Sequence, residues 1–264
     1  AVFPLGLTSI TWTVTDGAGN TATINQTINV IDDTLPTITA PVDVNVNANA
    51  SCNATGVVLG LPITGDNCTV ASVINNAPSE FPIGTTEVIW TVTDAAGNAN
   101  TATQNVIVND VTNPVITCVS NAPITKNNSL GVCGYTAVGT EFDPTFTDNC
   151  DNVVLTHDFS SWSNANTLAG ATFPIGTTTV IWTATDAGGN TSTCTLNIIV
   201  TDNEAPVMQN CPSNQALTVG QYSCGTTPNW VAPLATDNCD SVSVVQTSGP
   251  LPTDTLAVGT YTIV

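Results

Sequence analysis

The sequence predicts an all-β protein, built as a tandem series of small β-sandwich domains. Three observations carry that prediction. The first is composition: Thr, Asn, Ser and Gly supply the polarity, apolar residues reach 42%, and charged residues only 8%. Such a mixture suits strands and turns rather than helices. The second is local period: in "VIWTVTD", Val88, Trp90 and Val92 fall on one face while Thr91 and Thr93 fall on the other. The third is repetition. "FPLGLTSITWTVTD" begins at Phe3, "FPIGTTEVIWTVTD" at Phe81, "FPIGTTTVIWTATD" at Phe173, and a weaker "LAVGTYTIV" at Leu256. The spacing of roughly 80 to 90 residues suits a sandwich domain and exceeds a solenoid repeat or propeller blade.

Boundaries follow from a second recurring string. "VIDDTLPTI" at 30–38, "VNDVTNPVI" at 108–116 and "VTDNEAPVM" at 200–208 share a strand, acids and then Pro. Pro cannot donate to a β-ladder and stiffens the chain, so these are short semi-rigid linkers. The chain divides into residues 1–31, the latter part of a first repeat; 32–109 and 110–201, two complete repeats; and 202–264, a fourth, truncated one. Because the opening stretch matches the middle of later repeats, the sequence reads as a segment of something longer.

Within 1–31, Trp12 and Val14 are expected in a core, Gly19 and Asn20 in a tight reversal, and Asp16 keeps a claim to chemistry. The turn "TDAAGN" of the second repeat repeats this, with Gly97 and Asn98 placed where positive φ is wanted. In the third repeat Cys194, Leu196, Ile198 and Val200 alternate after "DAGGN", completing a hairpin with one buried face. The inward Trp is a core plug, flanked by apolar neighbours on its own face.

Nine cysteines sort by repeat. The third has Cys118, Cys133, Cys150 and Cys194; the second has only Cys52 and Cys68, with Ala40 and Ala102 at the other two positions. Joint loss of two members marks them as partners. The comparison selects Cys118–Cys194, Cys52–Cys68 and Cys133–Cys150 from the connectivities open to four cysteines. By register Cys224 pairs with Cys239, and Cys211 is left without a partner within the segment. A Cys-based metal site is disfavoured by the lack of CxxC and a single His, His157. Disulfides at this density imply an oxidising compartment, hence an extracellular or cell-surface location.

Charge excludes whole classes of partner. One basic residue, Lys126, faces 20 acids, for a net charge of −19. Phosphate neutralisation, and with it nucleic-acid binding, has no donors. No apolar run approaches the roughly 20 residues of a membrane helix, so membrane insertion is not expected in this segment. The acids recur at linkers, at "DNC" and after the Trp strand, and a sandwich gathers these loops at one pole. That would group Asp32, Asp33, Asp66 and Asp94 in the second repeat and Asp110, Asp148, Asp151 and Asp186 in the third. The fourth set is Asp202, Glu204, Asp237 and Asp240. Such clusters invite Ca²⁺ as a cofactor, while Asp equally makes turns through its own hydrogen bonds. No catalytic constellation is visible, and an enzyme is not expected.

The order of acidic linker with Pro, "TC", "C", "DNC", "FPIGTTTVIWTATDAGGN", "C" and "VTD" resembles the hyalin-repeat (HYR) domain over nearly the whole chain. The second repeat departs by lacking the outer cysteine pair, and the third carries extra residues at 151–172. The resemblance implies an immunoglobulin-like sandwich in extracellular adhesion proteins, including long secreted bacterial surface proteins. On this reading the chain is a stalk segment. Its partners are the neighbouring repeats, with any surface or glycan ligand engaged by domains outside the segment. The alternative is a ligand- or carbohydrate-binding module of a secreted protein or enzyme, for which Trp162 in "FSSWSN" is the candidate stacking platform.

Overall fold

The structure, a computed structural model, describes residues 1–150 and 152–264. Every regular element among them is a strand. Two compact units emerge. One comprises Ala1–Asn113 with Asp148–Asn152 and Asp186–Asn190, the other Pro114–Thr147, Val153–Thr185 and Thr191–Val264.

In the first unit, strands Gly6–Thr15 and Thr21–Val30 form a hairpin, Trp12 pairing with Ile24. The second repeat then builds a four-stranded sheet in the order Val44–Asn47, Ala99–Asn109, Gly84–Asp94, Val70–Asn75. The first of these runs parallel to Ala99–Asn109, and the others are antiparallel. Two short ladders, Thr37–Thr39 with Ile63–Gly65 and Asn53–Thr55 with Glu80–Pro82, complete the sandwich. Mixing one parallel edge into an antiparallel sheet is the immunoglobulin-like device that lets the chain cross between layers. In the second unit the same plan recurs, with sheet order Ile124–Asn127, Thr191–Thr201, Gly176–Thr185, Val154–His157. Its short ladders are Val115–Thr117 with Thr145–Thr147 and Tyr135–Thr136 with Thr172–Phe173.

Period two on the long strands makes the cores. Val88, Trp90 and Val92 are buried, as are Val180, Trp182 and Ala184 at the corresponding places. Leu196, Ile198 and Val200 close the second core from the adjacent strand, with Phe142, Leu168 and Phe173 opposite. Phe142 meets Phe173 edge-on at 5.4 Å between ring centres, and Phe159 stacks on Phe173 at 4.8 Å. Burial of rings this size is the largest apolar contribution to the repeat.

Trp12 and Val14 depart from expectation. They are 59% and 67% exposed, because among the described residues no second sheet covers their face of the hairpin. Their alternation is right, but burial needs an opposite layer that two strands alone do not supply.

A polar feature inside the core of the second repeat escaped the apolar pattern. Gln104 is fully buried. Its Oε1 accepts from the Trp90 indole at 3.0 Å, and its Nε2 donates to the carbonyls of Val42 and Leu59 at 2.7 and 2.9 Å. Trp12 donates to Gln26 at 2.9 Å in the same register. In the third repeat that position is Leu196, paired with Val180, and the buried Trp182 N–H has no partner. The recurring Trp and Gln, fourteen positions apart, are the sequence signal for this contact.

Candidate functional site

The repeated "TD-x-x-G-N" turn is a hydrogen-bonded lock. In the second repeat Asp94 Oδ1 accepts the backbone N–H groups of Ala96 at 2.9 Å and Asn98 at 2.8 Å, and Oδ2 takes the Asn98 side-chain amide at 2.7 Å. The same Asp-to-Asn geometry closes the turn at Asp16–Asn20 and at Asp186–Asn190. Gly19, Gly97 and Gly189 take positive φ, as a reversal this tight requires. Asn98 does not share that conformation. Its contribution is the side-chain amide, because the short amide reaches back to the carboxylate four residues earlier.

That amide makes a second bond. Asn98 Nδ2 donates to the Asp32 carbonyl at 3.1 Å, and Asn190 Nδ2 to the Asp110 carbonyl at 3.2 Å. Asp32 and Asp110 are linker residues, so each turn clasps the linker entering its repeat. Asp16, whose turn faces solvent, is held below the usual carboxylate range by the Asn20 side chain and backbone. For Asp186 burial pulls upward, but bonds from Asn190, Gly189 and Gly188 outweigh it and leave the carboxyl lowered.

"DNC" is also a turn. The Asp carboxylate accepts the Cys N–H two residues on: Asp66 from Cys68 at 2.8 Å, Asp148 from Cys150 at 2.8 Å, Asp237 from Cys239 at 2.9 Å. These loops bring part of each anticipated acid set together. Ligand oxygens of Asp32, Asp66 and Asp94 lie within 4.8 Å of one another, and so do donor atoms of Asp110, Asp148 and Cys150. Among the described residues, the second oxygens of Asp66 and Asp148 are buried with no hydrogen-bond partner. Asp33 is exposed and stands outside the first group. Asp186 sits in its turn beside the linker carbonyl of Asp110, and Asp151 lies outside the described residues. In the fourth set the acids take separate partners. Glu204 accepts from the Gly131 N–H at 2.8 Å, Asp202 caps Glu204 at 3.0 Å, and Asp237 caps Asp240 at 3.1 Å.

The cysteines divide sharply. Cys118 and Cys194 form a disulfide with Cα atoms 5.8 Å apart, joining the two layers of the third repeat. The within-repeat pairing of Cys52 with Cys68 is corrected by the fold. Ala48 N–H bonds to Asn109 and the Cys52 N–H to Asn49, which puts Cys52 at the Asn109 end of the long hairpin. Thr69 accepts from Ala95, which puts Cys68 at the Asp94 end. Eleven residues of strand lie between the two ends, about 35 Å of extended chain, where a bridge needs Cα atoms within about 7 Å. The expected Cys133–Cys150 pair is separated in the same way: the Asn128 N–H bonds to the Thr201 carbonyl and the Ser129 N–H to Gly134, at the Thr201 end, while Thr147 before Cys150 pairs with Val115 at the linker end. Cys224 and Cys239 are not joined either, and the cysteine whose influence reaches Cys239 is Cys133. Burial first, then the neighbouring thiol and carboxylates, raise both Cys150 and Cys239, the latter to about 12. Cys211 and Cys224 are exposed thiols.

Trp162 is half-buried against the core of the third repeat. Its indole N–H is spent on the Thr167 carbonyl at 3.0 Å, and its ring lies over Gly170. It is a packing residue rather than a free stacking platform. His157 likewise packs edge-on against Trp182, 5.0 Å between ring centres. Lys126 is committed internally, paired to Glu141 at 2.5 Å and lying 5.0 Å from the Tyr135 ring centre.

The HYR domain family model matches residues 31–108 and again 109–200. The chain belongs to the HYR-domain family. It is 32% identical to hyalin of Strongylocentrotus purpuratus over 94% of its length and 33% identical to hyalin of Lytechinus variegatus over 94%. It spans 21% and 47% of those two proteins. It is also 30% identical over 74% of its length to the serine-rich adhesin for platelets of Staphylococcus aureus (strain MSSA476), of which it spans 8%. Among the described residues no helix of these HYR repeats is long and apolar enough to cross a membrane.

Proposed function

We propose that this chain is a structural segment of an extracellular adhesion-type protein, acting as a stalk of HYR repeats rather than as an enzyme. The observation that supports this best is the clasp repeated in successive HYR repeats, Asn98 on Asp32 and Asn190 on Asp110. Each turn fixes the linker entering its own sandwich, and a Pro follows each linker to stiffen it further. The Asn amides and Asp carboxylates of these turns are held by the fold itself, which suits a mechanical role. Similarity to hyalins and to a platelet adhesin supports the extracellular setting.

Ca²⁺ is part of the proposal. Asp32, Asp66 and Asp94 converge with no basic side chain among them, and the orphaned Asp66 oxygen gives a cation an unoccupied acceptor. Calcium held there would offset repulsion among three carboxylates and fasten the linker more firmly.

Single-molecule pulling of the full chain tests the stalk reading. Discrete unfolding events, one per complete repeat, with no stable intermediate extension from the linkers, are expected. Smooth extension at low force would overturn it. Calorimetric titration of the metal-free chain tests the cation: heat of binding and a raised Tm are expected, and the absence of both removes calcium from the proposal.

A further inference from the structure

The cysteines displaced from within-repeat pairing meet across successive repeats. Cys52 belongs to the repeat at 32–109 and Cys150 to the next, and both lie in the first compact unit. After burial, Cys52 is the group that most raises the Cys150 thiol. Cys133 and Cys239 stand in the same sequence relation one repeat further on, both in the second unit, and after burial Cys133 is the group that most raises the Cys239 thiol. We propose that oxidation joins Cys52 to Cys150 and Cys133 to Cys239, so that successive HYR repeats are linked by a disulfide as well as by the backbone.

Three features besides thiol proximity support this. The Asn preceding the later cysteine anchors its loop on the turn that carries the earlier one: Asn149 donates to the Asn49 carbonyl at 3.4 Å, and Asn238 to the Val132 carbonyl at 3.1 Å. The Asn49 carbonyl is the same group that accepts the Cys52 N–H at 3.0 Å, so one turn sets both sulfurs. Second, Cys52 adopts φ 61°, a left-handed conformation that Gly or Asn would fill with less strain. A cysteine there serves the sulfur and not the turn. Third, the arrangement occurs twice in one register, in separate units, so it belongs to the repeat rather than to one loop. In this register Cys68 and Cys224 are left without a counterpart in residues 1–264.

The chemistry is thiol–disulfide exchange with an oxidised dithiol, either a small molecule or a protein of the secretory environment. The thiolate of one cysteine attacks the oxidant's disulfide and expels one of its sulfurs as a thiolate. The second cysteine, as thiolate, then attacks the mixed disulfide and releases the oxidant's other sulfur. One S–S bond is broken and one formed. The two cysteine protons and two electrons end on the oxidant, which leaves as a dithiol.

The test uses the whole chain, refolded in a glutathione redox buffer, digested with pepsin and analysed by mass spectrometry without reduction. Pepsin suits a chain with one Lys and no Arg, and acid halts exchange by protonating thiolates. Peptides joining Cys52 to Cys150 and Cys133 to Cys239 are expected, together with Cys118–Cys194 as the sign of a folded third repeat. Cys52→Ser should then free Cys150 for alkylation and leave labelling of Cys68 unchanged. Peptides joining Cys52 to Cys68 or Cys133 to Cys150, release of Cys68 by Cys52→Ser, or complete alkylation of all four cysteines with Cys118–Cys194 intact would each overturn the proposal.

Discussion

Asn98 donates its side-chain amide to the backbone carbonyl of Asp32 at 3.1 Å, and the same amide holds the Asp94 carboxylate at 2.7 Å. One short side chain thereby ties a hairpin turn to a linker sixty-six positions away in the chain.

Asn98→Ala removes both bonds and leaves the Asp32 carbonyl without this donor. A loss of about 1–3 kcal/mol from the second repeat is expected, read as a lower Tm by calorimetry. Asn20→Ala, whose turn is exposed and holds only Asp16, should cost well under half as much. Equal losses would show that the linker bond contributes nothing.

The outer disulfide should be transferable. Cys118 and Cys194 bridge the third repeat, and Ala40 and Ala102 occupy those places in the second, Ala102 opposite Trp90 just as Cys194 is opposite Trp182. Ala40→Cys with Ala102→Cys should oxidise spontaneously and stabilise the second repeat by about 2–4 kcal/mol. Cys118→Ala with Cys194→Ala should cost the third repeat a similar amount. Denaturant unfolding with and without reductant measures both.

Gln104 satisfies three buried groups at once: the Trp90 N–H and the carbonyls of Val42 and Leu59. Gln104→Leu copies the residue found in the third repeat but strands all three. A loss of about 2–4 kcal/mol is expected by urea unfolding, since each orphaned group costs about 1–3 kcal/mol before the apolar gain of Leu is subtracted.

The Lys126–Glu141 pair gives the third repeat a pH signature. Burial alone would raise Glu141, but bonds from Lys126, Tyr135 and Val138 hold it below its ordinary 4.5. Lys126 is raised above its ordinary 10.5, chiefly by the Glu141 bond. The carboxylate's contribution is therefore complete above pH 4.5 and fades as pH falls through the lowered value. The ammonium's contribution is complete below pH 10.5 and fades as pH rises through the raised one. Lys126→Met should lower stability by up to roughly 1 kcal/mol at neutral pH, and the gap from the unchanged chain should narrow as pH falls through the lowered Glu141 value. A pH-independent gap would assign the loss to packing of the lysine stem over Tyr135 and Phe142 instead.

The alternation in "VIWTVTD" was enough to place Val88, Trp90 and Val92 inside, because a strand side chain can point only to one face or the other. The repeated "TD-x-x-G-N" announced a turn for the same local reason. Gln104 was not legible as a core residue from hydropathy. Its burial depends on two carbonyls supplied by distant segments, and only its recurrence beside Trp in two repeats hints at the role.

The all-β class, the repeat, the turns and the apolar side of each long strand are local consequences of the sequence, and the outer disulfide, 76 positions apart, was legible because its two members disappear together in the second repeat. Which acids meet, which apolar faces are covered and which cysteines approach one another depend on the packing of distant segments. Cysteines sixteen positions apart, Cys52 and Cys68, look like natural partners on paper. A hairpin of two eleven-residue strands holds them at opposite ends, and the sheet's stiffness, not the separation along the chain, sets which sulfur each can reach.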